Sequence, residues 1–160
     1  MTPASPVYLR LKSFFEEREV SRRAVAPLSD RAALRLRLTG HGGEYLFTAH
    51  RGQPRLDPYA GEPVDLTITV PDAAAERLVS LTDETLSAYA LCILEMAASD
   101  DPAIKVRGNI HSGVWTLWRH GYFGLLRLGG PPMMEFLKRK GLGSLTAIRQ
   151  KIRSTRRPLE

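Results

Sequence analysis

The sequence predicts an α+β fold, a mainly antiparallel sheet with helices covering one face. Three observations lead there. Residues 33–38 alternate strictly between leucine and arginine after Ala33, the pattern of a half-buried strand. Glycine-rich turns at 39–43 and 51–54 then space short strand-like segments as a meander. Apolar residues at helical spacing recur before residue 24, between 83 and 98, and after 113. With 160 residues, 43% of them hydrophobic and 25% charged, the chain is long enough to bury one core without disulfide or metal.

Residues 7–24 are expected as one helix, with Val7, Leu11, Phe14 and Phe15 as its stripe and Pro27 at or just beyond its end. Strands follow at 33–38, 44–50 and 55–57, broken by Thr39-Gly40-His41-Gly42-Gly43 and Arg51-Gly52-Gln53-Pro54. Asp65 to Val70 is the next strand, with Leu66, Ile68 and Val70 on one face. Asp72 is expected to cap a helix over 73–80, and Thr82 one over 83–98. Ser99-Asp100-Asp101-Pro102 is a turn, and 103–108 the last strand. Residues 113–128 form a helix apolar nearly all round, and 142–154 a basic amphipathic one. The domain is expected to occupy residues 1–137, with a basic tail over 138–160.

That tail holds eight lysines and arginines against Glu160 alone, although the whole chain has a net charge of only +6. The body is therefore near neutral. Lys138, Arg139, Lys140, Arg149, Lys151 and Arg153 are candidates for contact with an anionic membrane surface. Nucleic acid is a poor fit, because the body has no basic stripe and its aromatics sit among aliphatics. Cys92 is the only cysteine, so an internal disulfide and a cysteine-based zinc site are excluded. The opening residues lack a charged region followed by an apolar run, and no stretch reaches the roughly 20 apolar residues that span a bilayer. A cytoplasmic location is expected.

The chemistry-bearing motifs are absent. His41, His50, His111 and His120 are scattered without ligand spacing, so no metal is expected. Gly108-Asn109-Ile110-His111-Ser112-Gly113 lacks the strand–elbow–helix setting of a nucleophilic serine and reads as a strand end followed by a helix cap. Gly141-Leu142-Gly143 lacks the preceding strand and third glycine of a dinucleotide loop, and no Walker A sequence occurs. No residue stands out as nucleophile or base, so the chain is expected to be neither an enzyme nor a cofactor carrier.

What the sequence does offer is surplus apolar surface. Leu86, Tyr89, Ile93 and Met96 share a helix face; Trp115, Trp118, Tyr122 and Phe123 crowd the next helix; Met133, Met134 and Phe136 follow. Such surface is completed by an apolar ligand, by a second copy or a partner protein, or by a crowded core. Methionine adapts to ligands of varied shape and fills core gaps equally well.

The stretch Pro63 to Gly108 resembles the sterol carrier protein type two family. The strand Val64 to Val70 followed by Pro71-Asp72 is similar to its fourth-strand signature. Ile104-Lys105-Val106-Arg107-Gly108-Asn109 is similar to its fifth. The upstream helix and meander fall in the family's order, so the likeness covers about residues 7–128. Two departures are the long helix at 83–98 and Asp100-Asp101-Pro102-Ala103 where the family commonly has a glycine. The resemblance implies a five-stranded sheet with helices on one face around an apolar tunnel or cavity. It implies non-catalytic binding or transfer of a sterol, fatty acyl chain or isoprenoid, lined by the eleven apolar residues named above. Some bacterial relatives serve ubiquinone biosynthesis, and the high arginine content associates with a bacterial source. The competing reading is an accessory or scaffold subunit that uses the same apolar helices as a protein–protein interface, or as a homodimer contact.

Overall fold

The computed structural model describes residues 5–40, 43–82, 85–128, 131, 135, 138–139, 150 and 152–154. Within these, five strands form one mixed sheet in the order β3-β2-β1-β4-β5. They are β1 (Ala33–Leu38), β2 (Glu44–His50), β3 (Gln53–Pro58), β4 (Leu66–Val70) and β5 (Arg107–Ile110). All neighbours are antiparallel except β1 and β4, which run parallel. The meander builds outward from β1 on one side, and the chain then returns to add β4 and β5 on the other.

The register sorts side chains by face. Leu34 sits beside Phe47 and Leu66, and Leu36 beside Tyr45 and Ile68. These residues, with Leu38, Leu56 and Val70, make the apolar face. The opposite face carries Arg35, Arg37 and Glu44, whose Oε1 accepts from both guanidinium groups at 2.7 Å. Arg35 is nonetheless buried, because the Tyr59 ring covers its guanidinium with a centroid distance of 4.9 Å.

Helices α1 (Pro6–Glu17), α2 (Glu19–Val25), α3 (Asp72–Val79) and α4 (Leu86–Ala98) pack on the apolar face. Ser5 caps α1 by accepting from the Tyr8 amide at 3.1 Å. The Tyr8 and Tyr45 rings stack at 4.1 Å, fastening α1 to β2. Thr85 caps α4 through the Ala88 amide.

Several sequence expectations are corrected. The helix expected over 7–24 is two helices, because Arg18 is extended (φ −80°, ψ 138°). Ser21 Oγ holds that corner by donating to the Phe14 carbonyl at 2.8 Å. The cap of α4 is Thr85 rather than Thr82. Asp72 is the first residue of α3, not its cap; its carboxylate accepts from the Gly40 amide instead. A side chain at Gly40 would run into that carboxylate. The last strand starts only at Arg107, because the Val106 amide bonds to the Met96 carbonyl at the end of α4.

The helix expected over 113–128 is α5 (Val114–Arg119) and α6 (Tyr122–Leu128). They turn at Gly121, which has φ +91° and presses on the Pro27 carbonyl so closely that no side chain fits. The expected helix over 142–154 lies largely outside the described residues, of which Gln150 and residues 152–154 are helical.

Candidate functional site

Sheet and helices do not close completely on each other. Between them is a cavity of about 330 Å³, walled by side chains of the apolar sheet face and of α1, α2, α3, α4 and α6. The sheet supplies Leu34, Leu36, Phe47, Ile68 and Val70; α1 and α2 supply Leu11, Phe14, Phe15, Val20 and Ala24; α6 supplies Leu125 and Leu128. Four of the helical residues around it are alanines, Ala24, Ala74, Ala75 and Ala90, whose short side chains fill less of the gap than a longer residue would.

Among the described residues the wall carries only two polar side chains, and both are satisfied within the protein. Ser21 Oγ donates to Phe14 O. Tyr89 Oη accepts from Arg18 Nη1 at 2.9 Å and donates to Leu81 O at 3.4 Å. Arg18 also donates to Val79 O at 3.3 Å, and its guanidinium lies over the Phe14 ring at 5.2 Å. One arginine at the α1–α2 corner thus ties two cavity residues to the end of α3. Cys92, on the buried side of α4, has its thiol pKa pushed up by burial, so it stays protonated and inert at neutral pH. Among the described residues, the cavity wall therefore offers no charge, no nucleophile and no free donor. It can hold an apolar molecule by exclusion from water, and the described wall contains nothing suited to acid–base chemistry.

Of the residues expected to line the site, Leu86, Tyr89, Ile93 and Met96 stand on the cavity wall. Met96 is fully buried, whereas Ile93 is 39% exposed at the margin. Trp115 and Trp118 stand elsewhere, 71% and 60% exposed, paired edge to face at 5.6 Å. The reason is rotational: α5 turns Leu117 inward, and that leaves both indoles in solvent. Phe123 is half-buried and lies off the wall. Met133, Met134 and Phe136 lie outside the described residues, as do Lys140, Arg149 and Lys151. Lys138, Arg139 and Arg153 are exposed.

Tyr122 belongs to a polar hub behind the sheet. Its hydroxyl donates to Asp65 Oδ2 at 3.0 Å, and burial followed by the Asp65 charge pushes its pKa far up, so that it remains a donor. Asp65 is buried and also accepts from His120 Nδ1 at 2.7 Å, from Ser112 Oγ at 2.7 Å and from the Ala33 amide at 3.3 Å. Its backbone carbonyl takes the His111 and Ser112 amides. Thr67 Oγ1 pairs with His111 Nε2 at 2.8 Å. The Ser112, His120 and Asp65 residue types suggest a triad, but the serine bonds to the carboxylate and not to the imidazole, so it is not activated. The hub is a clamp that holds α5 and α6 against β1 and β4. Among the described residues no group of acids, histidines and cysteines is arranged to hold a metal.

No family model and no curated protein matches the sequence. Two solved structures overlap most of the chain, both with TM-scores under 0.5. One solved structure is described as a UbiJ-SCP2 ubiquinone synthesis protein; it has 12% identity and a TM-score of 0.43, over 78% of this chain and 96% of that one. Another is sterol carrier protein domain 2 of Helicoverpa armigera, with 14% identity and a TM-score of 0.44, over 82% of this chain and 97% of that one. The five-stranded sheet with helices on one face, observed directly here, is the architecture that the sequence resemblance implies. No helix among the described residues is long and apolar enough to cross a membrane.

Proposed function

We propose that this protein binds a hydrophobic lipid ligand, such as a fatty acyl chain, isoprenoid or sterol, in the cavity between sheet and helices, without chemistry. The observation that carries this reading is a cavity of about 330 Å³ whose wall is apolar apart from two internally paired groups. An engineered apolar cavity of roughly 150 Å³ stays dry and takes benzene, so this one accommodates roughly a dozen heavy atoms. At ~0.8 kcal/mol per buried CH₂, a chain of that size gains roughly 10 kcal/mol before the costs of association, enough for binding without a charged anchor. A longer ligand would extend past Ile93, the exposed residue at the margin. The basic residues of 138–160 would add attraction to anionic membranes, where such ligands reside.

The test is native purification, solvent extraction and mass spectrometry of what is released. A stoichiometric lipid is the expected result. Substituting Ala90→Phe should fill the cavity and abolish uptake of a fluorescent fatty acid while the protein stays folded. An empty extract, together with no uptake by the unmodified protein, would overturn the proposal and favour the accessory-subunit reading, with the apolar helices packed on protein.

A further inference from the structure

The two most exposed aromatic residues among those described are neighbours on one short helix, and they do not line the cavity. On α5, Trp115 and Trp118 are 71% and 60% exposed and touch each other edge to face. A lone exposed indole is unremarkable, but two in contact form an apolar patch that water solvates poorly. Helical geometry places Arg119 about 40° round from Trp115, on the side away from Trp118. Beyond Arg119 opens a cleft of about 440 Å³ lined by Ser29, Asp30, Arg31, Thr116, Arg119 and His120.

The guanidinium-bearing residues Arg31 and Arg119 are both exposed and both line that cleft. Its one carboxylate, Asp30, accepts the Arg51 amide at 2.8 Å. His120 spends Nδ1 on Asp65, which leaves Nε2 as the ring nitrogen for the cleft. The surface thus passes from two indoles to an arginine and then to a hollow framed by two arginines. Indoles prefer the depth of lipid headgroups, where the ring is apolar and the N–H is wet, and arginines pair with headgroup phosphates. A protein partner would match the indoles equally well, but the adjoining arginines supply the charge complementarity of an anionic bilayer.

We propose that α5 is a membrane-docking element: Trp115 and Trp118 enter the interface of an anionic phospholipid bilayer while Arg119 and Arg31 take lipid phosphates at the cleft. This holds whatever occupies the cavity, and it is separate from attraction by the C-terminal tail. It also gives docking a structural consequence. α5 is joined through Gly121 to α6, whose Leu125 and Leu128 are part of the cavity wall.

The chain contains only two tryptophans, so selectively excited tryptophan fluorescence reports this patch alone. The full-length protein is titrated with vesicles of phosphatidylcholine, with and without phosphatidylglycerol, and binding is also read by co-sedimentation. The expected result is a blue shift with the anionic vesicles and quenching by bromine placed near the headgroup end of the acyl chains. Arg31→Glu and Arg119→Glu should each weaken binding at least fivefold. Trp115→Ala with Trp118→Ala should weaken co-sedimentation at least tenfold while fatty acid uptake and thermal midpoint are kept. Vesicle binding with unshifted emission would place the contact elsewhere, on the tail for example, and overturn the proposal. A blue shift that depends on protein concentration without vesicles would also overturn it, in favour of a second copy seated on the patch.

Discussion

Asp65 offers the sharpest test of how the domain holds together. Its carboxylate is 6% exposed and accepts four hydrogen bonds, from β1, from the 111–113 turn, from His120 at the end of α5 and from Tyr122 in α6. Four acceptances fill a carboxylate's capacity, so Asp65→Ala strands several donors at once. A hydrogen bond to a charged group contributes ~1.5–3 kcal/mol, but removing the buried charge returns part of its desolvation cost. The expected net loss is about 3–5 kcal/mol, or roughly 6–20 °C in Tm for a chain of this size. Urea denaturation followed by circular dichroism measures it. Tyr122→Phe supplies the second leg of a double-mutant cycle: it should cost about 1 kcal/mol in the native background and much less once Asp65 is gone. A loss below about 1 kcal/mol for Asp65→Ala, or strict additivity with Tyr122→Phe, would refute the clamp.

Two further predictions concern titration and reactivity. Hydrogen bonds from Arg35, and then from Arg37 and against the opposing effect of burial, hold the Glu44 carboxyl below its ordinary range. A lowered folded-state pKa contributes stability that is complete above the ordinary value of about 4.3 and is lost as pH falls through the lowered one. Glu44→Gln should therefore show a shallower fall in stability on acidification below about pH 5, and an unchanged slope would count against the pairing. Cys92, raised by burial, should resist iodoacetamide at mildly alkaline pH and label only as the protein unfolds, whereas rapid labelling of the native state would place the thiol in solvent.

The predictions differ in how much of them could be read from the chain. The alternation of Leu34, Leu36 and Leu38 with Arg35 and Arg37 marks a strand and its apolar face, because side chains on a strand alternate by stereochemistry alone. The spacing of Leu86, Tyr89, Ile93 and Met96 likewise marks a helix face that fronts the cavity. The break at Gly121 is hidden by the apolar run that continues past it through Tyr122, Phe123 and Leu125, and the charged run Glu16 to Glu19 reads as a solvated helix face and not as a corner at Arg18. At Gly121 the deciding contact is the Pro27 carbonyl, nearly a hundred residues earlier. Trp115 and Trp118 stand off the cavity wall for a related reason: an aromatic-rich run states that surface is apolar but not which way a helix turns when Leu117 is the residue buried.

The sequence by itself determined the class of fold, the order of its elements and the apolar face of the sheet, because these follow from local stereochemistry and from the free energy of burying each side chain. The tertiary structure decided where that apolar surface leaves a space, with alanines on three helices, α2, α3 and α4, among the residues around it. It also decided that Asp65, His120, Ser112 and Tyr122 meet, through a β4–β5 pairing that sets Leu66 beside Ile110 and so Asp65 beside the turn that leads into α5. Neither result is a property of any one segment. Each is a difference in shape or charge between surfaces that become neighbours only when the chain is folded.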